Sequence, residues 1–217
     1  MFRIAARYNQ YIEPLQILIY IPTLLIFVLL RRGTRQDTSR GVLLLLAAEW
    51  AMVGVLLFFN IVAKQHWVGV AAGAFFIMAG LFYAAAASLN FPPHFHWRKD
   101  NPSLLSLLMV AMAILGYPAL SWLLGREYPL VTTYGLMPSS VAMLTLGVLI
   151  SARPGPRLWL LVPPLLIAFA APVTIWWWEI WEDFLLPPLA LLALLGWARW
   201  RTKNKEAPTK DTIRFDF

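Results

Sequence analysis

Glu49 is the side chain in this sequence whose type and place most call for chemistry. It stands about nine residues into an apolar run, Gly41 to Ala63, that holds no other ionisable group. An acid at that depth in an apolar helix is costly and normally faces protein or water. Asn60 follows 11 residues later, about three α-helical turns, so a regular helix puts it on the same face, roughly 16 Å further along. Such a stripe reads as a path for a proton or cation. The plainer reading is a protonated acid bonded to a neighbouring helix.

The stretch Gly125 to Ala152 offers a second set of groups. It opens as a polar loop with Arg126, Glu127, Tyr128, Thr132, Thr133 and Tyr134, and continues after Pro138 as a short apolar run. A helix of about 15 residues spans roughly 22 Å, less than the ~30 Å hydrocarbon core. The loop is therefore expected to dip into the bilayer, where only protein can satisfy its backbone, and to wall a cavity. Ser139 and Ser140 open the short helix, whose free N–H groups suit an anion or polar solute. Ordinary helix initiation under an ordered loop is the alternative.

Glu179, Glu182 and Asp183 form a third group between two apolar runs. With Glu127, Glu13 and His66 at the same level they offer oxygen and imidazole to a cation. The simpler reading makes Asp183 the cap of the following helix and leaves the others solvated. His94 and His96 make too small a set to predict a metal. The sequence has no cysteine, which excludes disulfides, thiolate metal sites and Cys nucleophiles. It has no H-E-x-x-H, nucleophile elbow or phosphate-binding Gly loop. No cofactor is expected.

The elements that position these groups are apolar blocks. The chain is 60% hydrophobic and 13% charged, where soluble domains carry about 25% charge. The blocks run near 20 residues without alternation, the mark of spanning helices. Seven are expected: about Ile12–Leu30, Gly41–Ala63, Trp67–Leu89, Ser103–Leu124, the short run after Pro138, Leu158–Trp178 and Phe184–Trp200. Met1 to Tyr11 is expected as an interfacial lead, and Arg201 to Phe217 as a polar, basic tail. The first block lacks an A-x-A-like end and is expected to remain as a helix. Gly69 and Gly73 suggest close helix packing, and Trp176, Trp177, Trp178 and Trp181 an aromatic belt.

The net charge of +7 reflects topology, not nucleic-acid binding. With the N-terminus outside, 14 of the 18 Lys and Arg fall on inner loops and the tail, in line with the positive-inside rule. The fold class is an all-α integral membrane bundle of about seven helices, N-out and C-in, with the lipid bilayer as its first partner and other membrane subunits or a homo-oligomer as further ones.

Several short motifs carry a resemblance: Tyr8-Asn9, Pro14-Leu-Gln16, Tyr117-Pro118, Tyr128-Pro129, Gly135, Pro138 with Thr145-Leu-Gly147, Pro163-Pro164, and Glu182-Asp183 with Leu185-Leu186. From residue 8 to about 195 the chain resembles a family of small polytopic bacterial membrane proteins classed as a domain of unknown function. The resemblance implies an inner-membrane, permease-like protein and supplies no catalytic residues. Similar proteins often carry Cys-Pro where this chain has Met137-Pro138. The leading expectation is passage of a small polar solute, ion or proton past Glu49 and Asn60. A non-catalytic subunit of a larger membrane complex is the alternative, and an intramembrane lipid enzyme ranks last.

Overall fold

The computed structural model describes residues 6, 9–10, 16–32, 36–89, 93–95, 101–131, 133–135, 137–153, 155–178 and 180–206. Seven helical rods stand out among the described residues. α1 is Gln16–Arg32; α2 is Gln36–Met52 and continues as a π-helix, Val53–Val62; α3 is Val68–Ala87. α4 is Asn101–Ala111, widens into a π segment at Met112–Gly116 and closes with Tyr117–Leu123. α5 is Pro138–Ile150, α6 is Leu158–Trp178, and a 3-10 turn, Trp181–Leu185, leads into α7, Leu186–Glu206. Five of these are long and apolar enough to cross a membrane, while the apolar parts of α1 and α5 are shorter. α2 starts before the expected Gly41, which brings Arg40 into a helix, and α7 runs past Trp200.

The short helix is the centre post. Every residue of α5 from Ser139 to Ile150 is buried, and α4, α6 and α7 pack around it, with α2 touching its remaining side. A helix that is apolar all round must be enclosed on all sides. The outer faces of the surrounding helices carry Phe169 and Trp176, each 86% exposed, where a water-soluble protein would place polar groups. At one end a two-residue antiparallel pairing joins β1, His94–Phe95, to β2, Ala152–Arg153. There Ser39 Oγ accepts from the Phe95 N–H at 3.3 Å, and Trp197 Nε1 donates to Pro156 O at 2.9 Å.

Close approaches fix the α2–α3 pair. A Cβ on Gly54 would stand 3.1 Å from Gly73 O, and one on Gly80 would stand 2.9 Å from Ala47 O. Gly73 thus acts in packing as expected, with Gly54 and Gly80 beside it. Gly69 instead serves the turn, against the Val62–Ala63 backbone. Trp50 stacks on Phe76 at 4.9 Å and donates from Nε1 to Thr145 Oγ1 at 2.9 Å, pinning α2 to α5. Thr145 in turn donates its one hydroxyl proton to Val141 O at 2.8 Å.

Two prolines inside the rods, Pro164 and Pro118, are accommodated in different ways. Pro164 has no N–H, which leaves the Leu160 carbonyl four residues earlier without its helical donor. Tyr83 from α3 supplies it, donating at 2.9 Å. In α4 the turn just before Pro118, where the ring would crowd a carbonyl, is the one that widens. Replacing Tyr83 with Phe strands the Leu160 carbonyl in an apolar interior. The expected cost is about 1 kcal/mol, read as a lower melting temperature of the purified protein in detergent.

Candidate functional site

Two buried polar clusters lie on either side of the start of α5, and the loop before α5 joins them. Glu49 is 1% exposed and sits midway between the ends of α2, Gln36 and Val62. Thr23 of α1 donates to Glu49 Oε1 at 2.5 Å, and the Thr23 and Tyr134 hydroxyls are 2.9 Å apart. Thr23 has one proton, so when Glu49 takes it, Tyr134 is the donor to Thr23. The Tyr134 hydroxyl is also within hydrogen-bond reach of Glu49. The Tyr20 ring packs on Tyr134 at 5.6 Å.

Tyr134 reaches the midpoint of α2 because the loop descends into the bundle before α5 begins. That descent explains the length of α5: its 13 residues span only about 20 Å, since the loop has already covered part of the depth. The loop is held by side chains. Asn9 is fully buried and donates from Nδ2 to Pro129 O at 2.7 Å and Val131 O at 2.9 Å. Thr133 donates to Asn9 Oδ1 at 3.2 Å. Ser140 Oγ accepts from the Gly135 N–H at 3.4 Å and donates to Met137 O at 2.7 Å. Gly135 has φ +78, and a Cβ there would stand 2.3 Å from Ile19 Cγ2.

The second cluster joins the loop, the 3-10 turn and the rods α4, α5 and α6. Glu182, 0% exposed, is ion-paired with Arg126 from the loop. Asp183, 2% exposed, accepts from Thr174 of α6. The hydroxyls of Tyr117 in α4 and Ser139 at the head of α5 stand beside Asp183. Among the described residues no three His, Cys, Asp or Glu side chains gather as a transition-metal set.

A family model described as a family of unknown function, DUF6064, matches residues 1–207. The chain belongs to this family. No curated protein and no solved structure matches it. The DUF6064 assignment agrees with the resemblance carried by Asn9, Tyr117, Gly135 and Glu182-Asp183, each of which has a structural task in or beside the two clusters.

The candidates named from the sequence divide accordingly. Glu49 and Tyr134 meet in one cluster; Arg126, Ser139, Glu182 and Asp183 meet in the other; Thr133 and Ser140 hold the loop between them. Asn60 does not join Glu49. Its amide donates to Val55 O of its own helix at 3.0 Å, because the π turns from Val53 onward rotate less per residue and spoil the three-turn register. Glu127 and Tyr128 are exposed. Thr132 and Glu179 lie outside the described residues, as does Glu13. Asp183 is not the expected cap: it sits inside the 3-10 turn and bonds across to α6. Glu182, expected to be solvated, is enclosed with its cation. Thr23 was not singled out from the sequence, and Asn9 only as part of the resemblance, with no role at a site. Thr23 follows Pro22 within an apolar run and looks like an ordinary membrane-helix threonine. Asn9 falls in the stretch expected on the surface.

An apolar groove of about 480 Å³ lies between α6 and α7, lined by residues such as Val162, Phe169, Ala190 and Leu194.

Two outcomes follow from this packing. Gly135→Ala forces both a left-handed alanine and a clash with Ile19, with an expected loss of roughly 2 kcal/mol in thermal unfolding. Arg126→Ala leaves Glu182 buried without its cation, with a loss on the order of 3 kcal/mol. Adding Glu182→Gln to Arg126→Ala is expected to restore much of that stability, which a role for Arg126 in packing alone would not do.

Proposed function

We propose that this chain is a small polytopic protein of a bacterial inner membrane that passes a proton or small ion through the cluster around Glu49. The observation that carries this reading is the contact of Glu49, at the midpoint of α2, with the hydroxyls of Thr23 and Tyr134. Carboxyls and hydroxyls in contact can exchange protons without an open channel, and an intramembrane acid is by default a functional candidate. The tight packing around Glu49 favours a proton or bare ion over a larger solute. In this reading all seven rods cross, N-out and C-in, and the loop before α5 dips from the outer face. The distribution of Lys and Arg supports that orientation.

The alternative is a non-catalytic subunit or assembly partner of a larger membrane complex. The groove between α6 and α7 favours it, because its apolar lining suits a neighbouring helix as well as lipid. Reconstitution distinguishes the two. Vesicles with an internal pH reporter and an imposed gradient are expected to equilibrate faster with wild-type protein than without it, and Glu49→Gln is expected to fall back to the empty-vesicle rate. Equal rates for wild type, Glu49→Gln and empty vesicles would remove the permease reading.

A further inference from the structure

We propose that the groove between α6 and α7 holds one acyl chain of an anionic phospholipid, with the lipid's phosphate at Arg157 and Arg199. The inference rests on the part of the reading above that puts the protein in a membrane, and on nothing of the Glu49 path. α6 and α7 both pack on α5. Where they part, the small side chains of Ala168 and Ala190 leave the space between them unfilled. Both alanines are buried, while Val162, Phe169 and Leu191 along the edges are exposed. The result is an apolar trough with a small-residue floor and a tall rim.

Apolar lining alone suits a lipid tail or a neighbouring helix; shape separates them. Helices that pair in lipid bring small residues to the contact, so that their backbones approach. Here the small residues lie on the floor, and Phe169, 86% exposed, stands on the rim. A rod about 10 Å across is held off by that rim, whereas a single hydrocarbon tail passes between its side chains. From Val162 to Phe169 the groove runs roughly 10 Å along α6. That lies within the ~15 Å that one leaflet contributes to the hydrocarbon core.

Charge selects the headgroup. The bond from Trp197 Nε1 to Pro156 O joins α7 to the start of α6 at one end of the groove. Val162 is four residues on from Leu158, where α6 begins, and Leu194 is three residues before Trp197. Arg157 follows Pro156, and Arg199 stands two residues beyond Trp197; both are exposed. A lipid with its tail in the groove sets its phosphate at this end, where two guanidinium groups can pair with the phosphate oxygens. Basic sites between membrane helices favour anionic heads. A choline head brings its own cation to the same place and cancels part of the attraction.

The test is lipid-dependent melting of the purified full chain in a non-ionic detergent. Phosphatidylglycerol and phosphatidylcholine with the same acyl chains are added at matched mole fractions, and glycerol phosphate supplies the headgroup without a tail. A ligand that binds only the folded state raises its stability by mass action. Wild type is expected to show a saturable upward shift with phosphatidylglycerol, a smaller one with phosphatidylcholine and none with glycerol phosphate. The pair Arg157→Gln with Arg199→Gln is expected to reduce the phosphatidylglycerol shift to the phosphatidylcholine value. Ala190→Leu, which fills the floor, is expected to lose both shifts. Glu49→Gln is expected to keep them, which separates this site from the proposed proton path. If Ala190→Leu does not fold, the arginine pair carries the test. Equal shifts with the two lipids in wild type, a preference that the arginine pair leaves untouched, or the same shift from glycerol phosphate would overturn the proposal. So would a wild-type dimer that Ala190→Leu dissociates, which would give the groove to a second copy.

Discussion

An apolar surround supplies no hydrogen bonds, so polar backbone inside such a bundle must be satisfied by the protein itself. The rest of this structure follows from meeting that requirement for one descending loop. Asn9 takes two of its carbonyls, Ser140 takes one of its N–H groups, and glycine at 135 lets it turn beneath Ile19. Once the loop reaches the level of Glu49, little depth is left for α5, and a helix that short is stable only as the enclosed post of the bundle. The same rule governs the long rods, where Tyr83 completes the helix that Pro164 interrupts.

The two polar clusters show how an enclosed bundle tolerates acids by different means. Glu49 meets hydroxyls, while Glu182 meets a guanidinium and Asp183 draws hydroxyls from three helices. In each case the partners come from elements distant in sequence. Opening either cluster therefore disturbs helix packing as well as charge. Both clusters include a residue of the segment from Tyr134 to Ser139, so the head of α5 is where the two could influence one another.

Much of the architecture was legible in the sequence, because apolar blocks and prolines act locally. The seven rods, the short α5 and the unusual position of Glu49 all follow from block length and charge. The partnership of Glu49 with Thr23 and Tyr134 was not legible, since it depends on how three separated segments rotate against each other. Asn60 shows the limit of periodicity: one stretch of π-helix, with nothing in its composition to announce it, was enough to take it out of register. Asp183 shows the limit of local capping rules. An acid before a helix reads as a cap, but here an inward turn aims it at Thr174 instead.

The enclosure of α5 has a consequence for the chain as it is made. Half of its wall, α6 and α7, lies downstream in the sequence, and the clamp on the loop above it comes from Asn9 near the upstream end. A nascent chain that stops after β2 would hold a short apolar rod without the protein wall that encloses it. The innermost piece is thus among the last to reach its final surroundings, and neither end of the chain can be shortened far without opening the middle.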